Sequence, residues 1–396
     1  MSKSVSVDRT SHTLLPVFSG LMFFVGIEMG GFQLALRSIS SEFSMGATGA
    51  GLLVAAQYVS IILMPLLFGR LADRAGKRRV LLLFSFVFFI GCLISALARD
   101  VFSFAIGLFL IGAGYSVCES AGSAALADAS PEKGARWVNL SQGVLSLGAV
   151  LSPMMLQYGI SAFGWSWRAV FWLCAAGVFV ALIALLFVRL PAIAPVQPEQ
   201  SSKPIRAFFA SPVFTLFFCA ILLYVGLENG FGYFTESFFT LKLGAATLGA
   251  YAISAYWASM ALSRLLFGVL PVSPEKTLMF SLFTSSALFL ILAVLHMPIP
   301  AVIICALIGF SFGPVWSSLM NLAARQHPGS SGGAMGLMSA GCGLGGALFP
   351  ALIGLISDRI DLRAAFVLLA LSALAAGALS GIAARKQGAS FTKINK

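Results

Sequence analysis

Four glutamates sit inside long apolar stretches: Glu28, Glu119, Glu228 and Glu236. An ionisable group at that depth is expensive, by at least about 2.5 kcal/mol on insertion scales, so its default reading is functional. A carboxylate held away from water and from any cation takes up a proton more readily than one in solution. Proton exchange is therefore the chemistry these residues offer. No Lys or Arg stands beside them in their own apolar runs, which also argues against an anionic substrate, since that would want a buried cation. Glu28 and Glu228 share a context. Val25-Gly26-Ile27-Glu28-Met29-Gly30-Gly31 returns as Val225-Gly226-Leu227-Glu228-Asn229-Gly230-Phe231, an offset of 228 − 28 = 200 residues.

The elements that carry these acids follow from composition. Of 396 residues, 59% are hydrophobic and 10% charged. Water-soluble domains average about 45–50% apolar and 25% charged, so the solvent of this chain is lipid. A spanning helix needs about 20 apolar residues. Twelve such runs are present, the first over roughly 13–37 and the last over roughly 362–384. Long unbroken runs without two-residue alternation exclude an outer-membrane barrel. The first run is too long for a signal-peptide core and belongs to the mature chain.

Further repeats support two halves. Leu147-Gly148-Ala149-Val150-Leu151-Ser152-Pro153 parallels Leu344-Gly345-Gly346-Ala347-Leu348-Phe349-Pro350, an offset of 350 − 153 = 197, and Arg168-Ala169-Val170-Phe171 parallels Arg363-Ala364-Ala365-Phe366. The long polar stretch, 190–211, contains Pro191, Pro195, Pro198 and Pro204 and divides a six-helix half over 1–189 from another over 212–396. Two parallel six-helix halves are an alternating-access plan.

The net charge of +11 is topological and not a nucleic-acid footprint. With both termini on one side, that side holds 19 of the 25 Lys and Arg, Arg264 among them, and the other holds 25 − 19 = 6. This asymmetry predicts a multi-pass protein of a bacterial-type inner membrane with cytoplasmic termini. Cys92, Cys118, Cys174, Cys219, Cys305 and Cys342 all fall in spans and form no C-x-x-C pair, so they read as packing residues. His12, His296 and His327 lie near span ends and form no relay. No phosphate loop, metal cluster or nucleophile constellation appears; neither cofactor nor metal is expected, and the chain is not read as an enzyme.

The sharpest local pattern is Gly69-Arg70-Leu71-Ala72-Asp73-Arg74-Ala75-Gly76-Lys77-Arg78-Arg79, between spans two and three. Gly76 suits a turn, Asp73 suits a helix N-terminus, and Arg74 and Arg78 suit cations that hold a cytoplasmic gate. The stretch resembles the G-x-x-x-D-R-x-G-R-R loop of the major facilitator superfamily. Its counterpart in the second half, Gly268 to Lys276, has lost the pattern, and Asp358-Arg359 reads as a solvated pair. Leu223–Glu228, Tyr256–Arg264, Gly309–Trp316 and Leu344–Pro350 are similar to the fucose/glucose/mannose-type proton symporter branch. That branch often carries an Asn and a His in spans four and five, where this chain has Ser123 and Gln142.

The resemblance implies an all-α fold of twelve transmembrane helices in which spans one, four, seven and ten line the cavity. All four glutamates then fall on cavity helices, with Glu228 the leading proton-coupling residue and Glu28, Glu119 and Glu236 beside it. Hydrogen-bonding amides and flat aromatic faces suit a sugar-like solute. Gln33, Gln57, Tyr58, Asn139, Gln142, Asn229, Tyr233, Tyr256, Trp257, Trp316 and Asn321 are the substrate-binding candidates. Trp165 and Trp167 read as interfacial anchors. The expected function is proton-coupled uptake of a neutral polar small molecule such as a sugar, by a monomer whose partners are solute, protons and lipid. The alternative is proton-antiport efflux of lipophilic or cationic compounds, which 35 Phe and 13 Met would also suit.

Overall fold

The computed structural model describes residues 2–129, 134–188, 205–270, 272–327 and 331–394. Every regular element among them is a helix: α1 (Ser2–Glu42), α2 (Ala47–Ala75), α3 (Lys77–Leu97), α4 (Val101–Ala129), α5 (Gly134–Phe163), α6 (Arg168–Phe187), α7 (Ile205–Phe209), α8 (Pro212–Leu243), α9 (Ala246–Val269), α10 (Pro274–Val294), α11 (Pro298–Phe312), α12 (Val315–Arg325), α13 (Ser331–Arg359) and α14 (Leu362–Ile394). Eleven spans among the described residues are long and apolar enough to cross a bilayer. The twelfth expected span, α9, is 24 residues long but is not one of the eleven. Ser254, Tyr256, Ser259, Ser263 and Arg264 interrupt its apolar run.

Span ten is interrupted. Pro314 has no N–H to continue the ladder, so α11 ends at Phe312 and α12 begins at Val315. The Tyr224 hydroxyl of α8 donates to the Phe312 carbonyl at 3.1 Å, so a side chain supplies a bond at the break. Exposed Phe102, Phe179, Phe187, Phe280 and Val294 would be a liability in water and suit contact with lipid tails.

The chain forms two compact units, Met1–Ser44 with Ala56–Gln197, and Met45–Ala55 with Pro198–Lys396. In the first, α1 packs on α5 and α6, and α3 on α4 and α6. In the second, α8 packs on α13 and α14, and α10 on α11 and α14. The pairings repeat, and so do the residues that permit them. A methyl group on Gly26 would overlap Leu145 O, and one on Gly148 would overlap Phe23 O, so α1 and α5 touch backbone to backbone. A methyl on Gly345 would overlap Leu222 O, and one on Gly226 the Phe349 ring. The arginines of the repeat also match. Arg168 bonds Glu42 and the Ala98 carbonyl at the end of α3. Arg363 bonds the Ala293 and Leu295 carbonyls at the end of α10.

Two expectations are corrected. Trp167 is not an interfacial anchor: it is buried, and its Nε1 donates to Glu42 Oε2 at 2.7 Å. Trp165 is exposed and stacks on Phe163. Asp358 is not a plain solvated partner of Arg359. Within the second unit its carboxylate accepts from the Ala47 and Thr48 amides at 2.9 and 2.7 Å, capping the start of α2 with a negative charge at the positive helix end.

Two measurements test this frame. Gly26→Val and Gly345→Val should each destabilise the folded protein by about 3 kcal/mol or more, since overpacking against backbone cannot relax by a rotamer change. Gly143→Ala, where a methyl meets open space, should leave the thermal unfolding midpoint unchanged or higher. Asp358→Asn should weaken the α2 cap by about 1 kcal/mol, read as roughly fivefold faster amide hydrogen exchange at Ala47 and Thr48.

Candidate functional site

The glycine contacts fix the direction of the two repeated acids. In the first unit, Gly26 and Gly30 press α1 onto α5, and Ser152 Oγ donates to Ile27 O at 2.6 Å. The next residue, Glu28, is 0% exposed. Gln57 Nε2 of α2 donates to Glu28 Oε1 at 3.1 Å. Glu28 Oε2 and Gln57 Oε1 are buried and have no hydrogen-bond partner among the described residues. Tyr58 and Tyr115 are buried in the same unit, and Tyr115 lies within electrostatic reach of Tyr58, Glu28 and Glu119. Gln142 Nε2 donates to Glu119 Oε1 at 2.9 Å, so the first unit holds two acid–amide pairs.

The second unit treats its acid differently. Arg264 Nη2 of α9 stands 3.8 Å from Glu228 Oε1, with side chains 36% and 14% exposed. The expectation that the acids have no Lys or Arg beside them is corrected here for Glu228. Arg264 lies within the last two turns of α9, and an arginine side chain is long enough to carry its head away from its own helix end. With a cation beside Glu228, the solute need not be neutral. Tyr224, a turn before Glu228, lies beside both charges. Sequence reasoning missed Arg264 and Tyr224 as site residues. The available signal was that Arg264 sits inside the apolar run Leu262–Gly268 and not in a loop.

The repeat extends to the helices that face the acids. Ser60 Oγ donates to Gln57 O at 2.7 Å, and Ser259 Oγ donates to Tyr256 O at 2.9 Å. A methyl on Gly112 would crowd Gln57 O, and one on Gly309 would overlap Tyr256 O. Gln57 and Tyr256 are therefore equivalent positions, one an amide and one a phenol.

The remaining expected residues divide. Gln33, Tyr233, Tyr256 and Trp257 are buried, and Tyr256 packs edge-on to Phe231 and Trp257 at 5.3 and 5.8 Å. Asn229 Nδ2 donates to the Val225 carbonyl of its own helix at 2.9 Å. Glu236 accepts from Thr240 Oγ1 at 2.7 Å, one turn along α8. Trp316 and Asn321 are exposed on α12. The Asn139 side chain lies outside the described residues, as do the side chains of Asp73 and Arg74. The backbone from Gly69 continues α2 to Ala75, so Asp73 falls in the last turn of α2 and not at the helix N-terminus the sequence suggested. Gly76 then turns with φ +88°, in the left-handed region that glycine favours. Arg78 Nη2 donates to the Leu186 carbonyl at the end of α6.

A family model described as Major Facilitator Superfamily matches residues 17–338 and 272–389. The chain is 28% identical to the multidrug resistance protein MdtL of Klebsiella pneumoniae over 225 residues, covering 52% of this chain and 55% of that protein. It is 24% identical over 377 residues to a putative glucose/galactose transporter of Helicobacter pylori, covering 89% of this chain and 91% of the relative. Thus the match spans about half the length of the first of these relatives and nearly all of the second. Among solved structures, the fucose:proton symporter FucP of E. coli shares the fold with a TM-score of 0.67 at 17% identity, covering 93% of this chain and 98% of that one.

Proposed function

Because the chain belongs to the major facilitator superfamily and is a multi-pass membrane transporter, not an enzyme, we propose that it couples proton movement to the import of a polar, sugar-like solute. The observation that carries this reading is Glu28, a fully buried carboxylate whose hydrogen-bond partner is the neutral Gln57 amide. A charge left there without a cation costs several kcal/mol, and taking up a proton removes that cost. A coupling residue must supply such a difference between its two states. Glu228 faces Arg264 and so has a second way to be neutralised, which makes Glu28 the more direct proton carrier and Glu228 its paired counterpart. Glu119 with Gln142 is a lesser acid of the same kind.

The amides and buried aromatics near these acids support a solute with many hydroxyls. The full-length similarity to a protein named as a glucose/galactose transporter supports the same class. The lysine and arginine asymmetry supports an inner membrane with both termini in the cytoplasm. Proton-antiport efflux is the second reading, favoured by the MdtL similarity over half the chain.

Proteoliposomes under an imposed pH gradient separate these. The wild type should accumulate the solute that stabilises it in a thermal-shift screen of sugars. Glu28→Gln should still bind that solute but fall to simple equilibration, a loss of at least about tenfold in accumulation. A variant that accumulates as well as the wild type would refute the coupling role of Glu28. Gradient-driven expulsion, with drug resistance abolished in Glu28→Gln, would favour efflux.

A further inference from the structure

Three arginines of the helical core are held by their neighbours, and they are not held alike. Arg168 is closed: its guanidinium bonds both oxygens of Glu42 at 2.9 and 2.7 Å, bonds Ala98 O at 2.8 Å, and covers the Trp167 ring at 4.1 Å. Arg363 is closed on two carbonyls and lies over Phe238. Arg264 is open. Its acidic neighbour, Glu228, is 3.8 Å away, longer than the roughly 2.7–2.9 Å of a bonded ammonium–carboxylate or guanidinium–carboxylate contact. The nearby Tyr224 hydroxyl spends its proton on Phe312 O. A guanidinium has five N–H donors in a planar fork. Here that fork is 36% exposed and not closed on its acid.

The charge is also particular to one half. The register that aligns Ser60 with Ser259 is 259 − 60 = 199, and 264 − 199 = 65, where the first half has Pro65. The first-half acid Glu28 has an amide where the second-half acid has a cation. If the pair served only to bury Glu228, a closed bidentate geometry like that of Arg168 would serve better.

We propose that Arg264 is the anchor for a carboxylate on the transported solute, and that Glu228 competes with the solute for it. A single planar cation suits a single carboxylate, whose two oxygens match its fork. The hydroxyl-rich solute proposed above then becomes a hydroxy acid or sugar acid, so this inference rests on that reading for the rest of the molecule. Protonation of Glu228 releases Arg264, and the solute carboxylate replaces the one that left. Charge at the site is the same before and after: one cation faces one anion in each state.

The test uses full-length purified protein and three matched pairs of probes: glucuronate with glucose, gluconate with sorbitol, and lactate with propane-1,2-diol. Binding is read by thermal shift and titration calorimetry. At least one acid should bind tenfold or more tightly than its neutral partner. Arg264→Gln should remove that preference, and Arg264→Lys should restore part of it. Glu228→Gln, which removes the competitor and keeps the cation, should tighten the same acid by severalfold. The Glu228 variant keeps the test open if Arg264→Gln does not fold. Equal binding of every acid and its neutral partner overturns the proposal, as does an acid preference that survives in Arg264→Gln or an acid weakened by Glu228→Gln. Failure here is separable from failure of the coupling reading. Accumulation of glucose under a pH gradient by Arg264→Gln would sink this inference and leave proton coupling intact. Acid binding through Arg264 with undiminished accumulation by Glu28→Gln would do the reverse.

Discussion

Backbone-to-backbone contact between helices, made possible where a glycine removes the side chain, is the interaction on which the rest of this structure depends. In lipid there is little hydrophobic drive to bring helices together, so close packing and internal hydrogen bonds must do it. Gly26 with Gly148 sets α1 on α5, and Gly226 with Gly345 sets α8 on α13. Each contact lies two residues before an acid. The geometry that joins the helices therefore also turns Glu28 and Glu228 away from lipid, and it does so twice because the sequence repeats. Glycines elsewhere in the fold need a packing explanation only where a neighbour is close; Gly143 and Gly336 meet open space and carry none.

Once the acids are turned inward, the cost of a buried charge decides what must surround them. Desolvating a carboxylate is costly enough that it must be paired or neutralised. The two units solve this in different ways. Glu28 takes an amide from Gln57, which satisfies one oxygen and leaves the charge itself uncompensated. Glu228 takes a cation at a distance that compensates charge without closing the bond. A duplicated framework with unlike partners at equivalent acids is a way to assign unlike tasks to the two halves. One acid keeps a neutral amide beside it, and the other a guanidinium.

The sequence made the framework legible and the partners illegible. Helix positions, the twofold repeat and the burial of the acids follow from apolar runs and from residues that recur about 200 apart, because lipid leaves so few permitted structures. The repeat even gave the correct equivalence of Arg168 with Arg363, whose bonds to the ends of α3 and α10 match. Partners are another matter. Gln57 stands 29 residues from Glu28, and Arg264 stands 36 from Glu228, and nothing local in the chain marks either pair. The Asp358 cap joins residues more than 300 apart. Charge counting treats Arg264 as a topology signal alone and ignores the reach of its side chain toward Glu228. Trp167 was misread for a related reason: an indole at a span end resembles an interfacial anchor until its N–H is seen to bond Glu42.

The break at Pro314 ties these observations together. A proline in a span leaves α11 and α12 as separate helices, and Tyr224 donates to the Phe312 carbonyl at the end of α11. Tyr224 is also the residue beside Glu228 and Arg264. The hydroxyl has one proton to donate. It lies within hydrogen-bonding reach of Glu228 and Arg264 as well as of the Phe312 carbonyl. The carboxylate faces the Arg264 guanidinium at 3.8 Å. Tyr224 thus sits between the end of α11 and the Glu228–Arg264 pair. A helix break, a phenol and an ion pair therefore form one arrangement within the second unit.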